Sequence, residues 1–353
     1  MSILRSFHIE PIELPLRLSF ATARDHLIRQ VTRVVRVTLT TDDGLQGIGE
    51  CVPVQYVTGE TSDTAETTLK GLAAEALGGD CARPRQLLES LESRLAPTDG
   101  FPYGQPAARA ALEMGLYDLI CRRFGADWWS YFGGSVPQIE TDVTLPMVDD
   151  TCARAVAFAE QGFRRFKVKI GRPDPDDDLR VLLDVARVAP DAVFRLDANQ
   201  GYTPATALAF VRTALRMGLA IELLEQPVHR EDLEGLAEVA AESPVPVFAD
   251  EAVLTAADAL RVVRLGRIAG INVKLMKSGV QGAQDIISVS RAAGLSLMMG
   301  CMLETPRGIG FALSLAAGTG AFSVYDLDSH MMLAEADPEP YFHQAGPHLT
   351  LSR

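Results

Sequence analysis

Residues 165–171 read Arg165-Phe166-Lys167-Val168-Lys169-Ile170-Gly171. A strand turns successive side chains to opposite faces, so Lys167 and Lys169 share one side and Phe166, Val168 and Ile170 the other. On a half-buried strand the two lysines would simply face water. Inside a parallel barrel both ammonium groups would point into the interior. Two like charges held there lower each other's pKa, and a lysine lowered in this way is a candidate general base. The stretch therefore decides the fold and the chemistry together, once its neighbours say which kind of strand it is.

Those neighbours repeat a pattern. From residue 139 onward, short apolar runs end in polar residues, and each is followed by a helix-length segment. The runs cover residues 141–145, 165–170, 193–199, 221–225, 245–250, 270–274, 295–300 and 323–326. From the second onward they recur about every 24–28 residues, the length of one βα unit of a TIM-type barrel. Near-continuous apolar runs suit parallel strands covered on both faces.

The N-terminal part has a different rhythm. Residues 7–12 and 30–39 read as strands, the second rich in β-branched residues, and Asp42-Asp43-Gly44 supplies a tight turn into a third strand over 45–51. Helical patterns follow over 62–95 and 107–123, where Ala111, Leu112, Gly115, Leu116, Leu119 and Ile120 recur at threes and fours. The expected class is α/β: an α+β capping domain over residues 1–125 and a modified TIM barrel, (β/α)7β, over 126–330. A C-terminal segment, 331–353, is expected to return to the capping domain.

Composition limits the function. The chain has 353 residues, 47% apolar and 22% charged, with a net charge of −13. That balance argues against nucleic acid and against an anionic membrane surface. No apolar run is long enough for a membrane span, and the N-terminus lacks a signal-peptide core. Five scattered cysteines without CxxC spacing suit a reduced, cytoplasmic protein. A small-molecule substrate and a homo-oligomer of identical chains are expected.

In a TIM barrel the chemistry sits where strands end. Asp197, Glu225 and Asp250 end three consecutive strands, each after apolar residues where a lone carboxylate is costly to bury. Each acid taken singly could cap a helix or pair with a lysine. Three in phase with the repeat repel one another and call for a cation, and one Mg²⁺ per active site fits an all-oxygen set. Lys274 ends the sixth strand, so Lys169 and Lys274 would flank a metal-held substrate. One lysine would remove an α-proton from a substrate carboxylate compound, the metal would stabilise the enediolate, and the other lysine would return a proton to the opposite face. Alternatively, Lys274 forms a structural ion pair with one of the acids. Asn199 and Glu251 are candidate supporting partners of the ligands or lysines.

With Lys167/Lys169, Asp197, Glu225, Asp250 and Lys274 in view, the chain resembles the enolase superfamily, muconate-lactonizing subgroup, over nearly its whole length. The resemblance implies a capping domain on a (β/α)7β barrel. It implies Lys169 and Lys274 as the acid/base pair, with Lys167 tuning Lys169. The subgroup includes cycloisomerases, o-succinylbenzoate synthase, N-acylamino acid racemases and dipeptide epimerases, all sharing these six positions. Asp326-Leu327-Asp328 discriminates among them. Its two carboxylates would suit a free α-ammonium group, whereas an N-acyl substrate would leave them without a partner. This Asp-x-Asp resembles that of the dipeptide epimerases, in which Mg²⁺ holds the C-terminal carboxylate. The other reading has Asp328 capping the next turn of the chain and Asp326 binding a barrel lysine.

In the Ala-Glu epimerase branch, an arginine in the loop after Phe20 pairs with the glutamate side chain. Aligned on Phe20, Thr22 and Ala23, that position holds Asp25, which implies a preference for cationic (Lys or Arg) dipeptides. Arg24 is adjacent, and a one-residue slip restores the acidic preference. A catalytically silent barrel used as a binding module is the different-class alternative, favoured only by loss of a base or ligand.

Overall fold

The computed structural model describes residues 2–23, 28–334 and 341–352. The N-terminal sheet is an antiparallel meander of β1 (Leu4–Phe20), β2 (Arg29–Thr41) and β3 (Gln46–Cys51). β1 runs well past residue 12, through Pro11 and Pro15, which pair with Val35 and Val31. A strand with a partner on one side only tolerates a residue that cannot donate a hydrogen bond. Helices Ser62–Ala76, Pro84–Leu95 and Pro106–Phe124 follow. The last is buried from Pro106 to Cys121 with one exception, Arg109. It lies between β3 and a barrel helix, so its polar residues need partners. Asp118, for example, accepts from Ile48 N and Trp128 Nε1.

After β4 (Gln138–Glu140) comes the barrel. Its strands are β5 (Val143–Leu145), β6 (Arg165–Lys169), β7 (Val193–Asp197), β8 (Ala220–Glu225), β9 (Val247–Ala249), β10 (Gly270–Val273), β11 (Ser296–Met299) and β12 (Val324–Tyr325). They form one sheet in sequence order, and every pair is parallel. Seven α-helices alternate with them among the described residues, and a short 3-10 turn, Ser329–Met332, stands after β12. The mixed α/β class and the (β/α)7β architecture are as the sequence led us to expect. The edge strands meet at a seam: Asp142 N donates to Tyr325 O at 3.1 Å, Leu327 N to Thr141 Oγ1 at 2.8 Å, and Thr144 N to Asp328 Oδ2 at 2.5 Å.

The tail forms β13 (Phe342–Ala345) and β14 (His348–Leu351), a hairpin that adds β14 to β4. Before it, Leu333 bridges to Leu16 of β1, and Ala334 N donates to Pro15 O.

The barrel interior is layered. A small apolar cluster of Leu223, Phe248, Met298 and Val324 is separate from the main core. Beside it Arg195, on β7, pairs with Asp142 at 2.8 Å and with Glu222 at 2.6 Å. Each of the four apolar residues lies shortly before a strand end, so the alternation of the strands sends the next inward residue to the barrel mouth.

Candidate active site

The mouth of the barrel gathers the residues that the strand ends predicted. Lys167 Nζ lies 2.6 Å from Asp326 Oδ2, 2.8 Å from Glu225 Oε2 and 3.3 Å from Asp197 Oδ2, and the lysine is wholly buried. Lys169 Nζ donates to Asp197 Oδ2 at 2.6 Å, and Lys274 Nζ to Asp250 Oδ2 at 2.7 Å. Lys169 ends β6 and Lys274 follows β10, so β7, β8 and β9, which carry the three acids, stand between them.

Asp197, Glu225 and Asp250 each offer one carboxylate oxygen, and these oxygens lie within 4.8 Å of one another. Their charge is not fully met by the protein. Among the described residues, the buried floor holds the six acids Asp197, Glu225, Asp250, Glu251, Asp326 and Asp328 together with the four lysines Lys167, Lys169, Lys274 and Lys277. The titration behaviour shows that excess. Burial, then repulsion from Asp197, pushes Glu225 up to about 8. Burial and then Asp326 push Asp328 up to about 6. Burial raises Glu251, with Asp250 and Asp197 adding to the rise. In contrast, burial alone would raise Asp197 and Asp250, but nearby lysines outweigh it, holding Asp197 at about 2 and Asp250 well below the usual carboxylate range. An excess of buried negative charge around three converging oxygens fits a divalent cation.

Lys167 departs from the expectation of a lysine lowered by its neighbour. Burial works against its charge, but Asp326, Glu225 and Asp197 outweigh that and hold its pKa well above the usual value. Three acids at contact outweigh one like charge.

Above this floor lies a cavity walled by both domains. Lys169, Lys274, Asp326 and Asp328 line it, as do Asn199 and Glu251, which are joined by a 3.3 Å hydrogen bond from Asn199 Nδ2 to Glu251 Oε1. Half of the structural reading of the Asp-x-Asp holds: Asp326 does bind a barrel lysine. The other half does not, because Asp328 makes no side-chain cap to the turn after it. Phe20 and Thr22 bring the start of the first-domain loop to the cavity wall. Arg24 and Asp25 lie outside the described residues.

Several residues that hold the site in place escaped the sequence reading. Lys277 spends its three N–H groups on Asp250 Oδ1 (2.5 Å), Asp250 O (2.6 Å) and Asn272 O (2.9 Å). It thereby occupies one oxygen of Asp250 and leaves Oδ2 facing the site. Asn272 Nδ2 donates to Glu225 Oε1 at 2.7 Å. Strand alternation could have found Asn272, which stands two residues before Lys274 on the same face. Gln226, at φ +33, accepts from Asp250 N and Ala252 N with its side-chain oxygen, which ties the end of β8 to that of β9. Arg29 and Tyr56 also line the cavity, with no pattern in the sequence to announce them.

Among the described residues, no helix is long and apolar enough to cross a membrane. Two family matches cover most of the chain: "Mandelate racemase / muconate lactonizing enzyme, N-terminal domain" over residues 5–133, and "Enolase C-terminal domain-like" over residues 150–351. The chain is 36% identical over 351 residues to an aromatic dipeptide epimerase of Herpetosiphon aurantiacus, covering 99% of this chain and 96% of that protein. It is 35% identical over 320 residues to an L-Ala-D/L-Glu epimerase of Thermotoga maritima, covering 90% of each. A dipeptide epimerase of Enterococcus faecalis, solved with Mg and the dipeptide L-Leu-L-Tyr, superposes with a TM-score of 0.92 at 30% identity, covering 99% of this chain and 97% of that one. A barrel with this buried acidic triad, its flanking lysines and matches over both domains place the chain in the mandelate racemase/muconate lactonizing enzyme family of the enolase superfamily.

Proposed function

We propose that this protein is a Mg²⁺-dependent dipeptide epimerase that inverts the α-carbon of the C-terminal residue of an L,L-dipeptide. The observation that carries the reading is the placement of Lys169 and Lys274 on either side of the Asp197–Glu225–Asp250 cluster, with Asp326 and Asp328 lining the same cavity. A divalent cation held by the three acids would supply the positive charge that makes a substrate carboxylate's α-proton acidic. The rest falls to the chain's own side chains. One lysine Nζ takes the α-proton from its face, and the other gives a proton from the opposite face. Lys167, held cationic by three acids, keeps Asp197, Glu225 and Asp326 from repelling one another. Asp326 and Asp328 receive the substrate's free ammonium, which relieves the repulsion that raises Asp328.

The relatives named for dipeptides support this substrate class. The full set of lysines and acids speaks against a silent barrel. An N-acyl substrate for a racemase or synthase of the same subgroup would bring no ammonium to this pair, leaving Asp328 to Thr144, beside an Asp326 already held by Lys167. Blocking the amine therefore tests the reading: N-acetylation of a turned-over dipeptide should lower kcat/KM by about 10²-fold or more, the cost of stranding buried charge. Equal turnover of the acetylated compound would overturn the assignment of Asp326 and Asp328. Mg²⁺ should raise the melting temperature and EDTA should reverse the rise; no shift would count against the metal.

For the side chain being epimerised, Asp25 supports a cationic preference. Arg29 on the cavity wall favours a second reading, an acidic side chain as in the Ala-Glu branch. A deuterium-uptake screen of L-Lys-L-Lys, L-Arg-L-Lys and L-Ala-L-Glu separates them; faster exchange of Ala-Glu would sink the cationic preference. A homo-oligomer, checked by light scattering, and a cytoplasmic location complete the proposal.

A further inference from the structure

The helix that carries Lys274 at its start is broken. Within Leu275–Ala292, Gly279 adopts φ +68 and ψ −179, so a single turn, 275–278, is set apart from the helix that resumes at Val280. A resumed helix leaves its first N–H groups without partners. Five other barrel helices solve this locally, with Asp174, Thr203, Asp232, Thr255 and Thr305 as side-chain caps. Here the acceptor comes from the other domain. Glu113, on the Pro106–Phe124 helix, takes the N–H groups of Val280 and Gln281 on its Oε2 and is wholly buried. Arg109 Nη1 stands 3.5 Å from its other oxygen. The approach is close enough to demand glycine: a Cβ at 279 would lie 2.6 Å from Arg109 Cδ and 2.7 Å from Glu113 Oε2.

The isolated turn is held at both ends. On the barrel side Lys277 ties it to Asp250 and Asn272. On the other side Glu113 sets the position of its exit, and Val52 N meets Met276 Sδ at 3.4 Å. Val52 follows β3 and lines the cavity. Lys169, at the end of β6, makes its ion pair within the barrel, with Asp197. We propose that Glu113 is a positioning residue for Lys274, one that registers the first domain against the lysine on one face of the substrate. The inference rests on the two-lysine reading of the site.

Exchange of the α-proton with D₂O tests it, because each lysine serves one face. The isomer whose proton faces Lys274 is the one that stops exchanging in Lys274→Ala. Glu113→Ala should slow that isomer's exchange by about 10-fold or more, the scale of an ångström-level misplacement, and leave the other within about 2-fold. Glu113→Gln, which keeps an acceptor oxygen, should restore the rate on the Lys274 face. If the alanine variant does not fold, Glu113→Asp, one methylene shorter, should show the same one-sided loss. Equal loss on both faces, or none on the Lys274 face, overturns the inference while leaving the epimerase reading intact. Absence of exchange by the unaltered protein with any dipeptide overturns both.

Discussion

Lys274→Ala is expected to lose epimerisation by at least about 10³-fold, because general acid–base catalysis of this kind supplies up to about 10⁴-fold and no other lysine among the described residues lines that face of the cavity. Exchange of the α-proton on the Lys169 face should survive, since Lys169 Nζ keeps its own partner, Asp197. Metal binding should move the other way. Lys274 Nζ sits 2.7 Å from Asp250 Oδ2 and competes with a cation for that oxygen, so its removal should tighten Mg²⁺. Chiral chromatography, proton NMR in D₂O and calorimetric titration of the metal read the three effects. Undiminished epimerisation by the variant would refute the two-base scheme outright.

Lys167→Met should damage both stability and turnover. The lysine is wholly buried, and its Nζ is the shared counter-charge of Asp326, Glu225 and Asp197. Removing one partner of a buried ionic cluster costs about 3–5 kcal/mol, since the others stay buried and unpaired. The melting temperature in EDTA should fall by several degrees, and Mg²⁺ should recover more of that loss than it adds to the unaltered protein, because it then meets more uncompensated charge. Turnover should fall by about 10²-fold or more, as preorganised charge near the reacting carboxylate is lost. An unchanged melting temperature in EDTA would show that Lys167 is not what holds the acids together.

The barrel was readable because several of its strands end in a charged residue that has no business in an apolar run. Asp197, Glu225, Asp250 and Lys274 stood out by position, and strand order placed them around one mouth. What the sequence hid was contact across long separations. Glu113 reads as one charge on a helix, yet it serves residues more than 160 positions later. Nothing local to Lys277 announces that its ammonium will meet Asp250, 27 positions earlier. Arg195 and Asp142 broke the apolar rhythm of their strands without signalling that they would meet. The tail hairpin was missed because its strands are only four residues each, the first of them largely exposed, and its only strand partner outside itself, among the described residues, is β4. Local pattern reports what each element must bury; it does not report which distant element supplies the missing partner.

The seam between β5 and β12 makes the site a late product of folding. Asp328 is anchored by Thr144, 184 positions away, and Lys167 reaches Asp326 across 159. The end of the cavity lined by Asp326 and Asp328 therefore comes into being only when the first and last strands of the barrel close on each other. Contacts of such long sequence separation form slowly and late. During refolding, helical signal should return before substrate affinity does, and a nascent chain still short of β12 has secondary structure but no epimerase pocket.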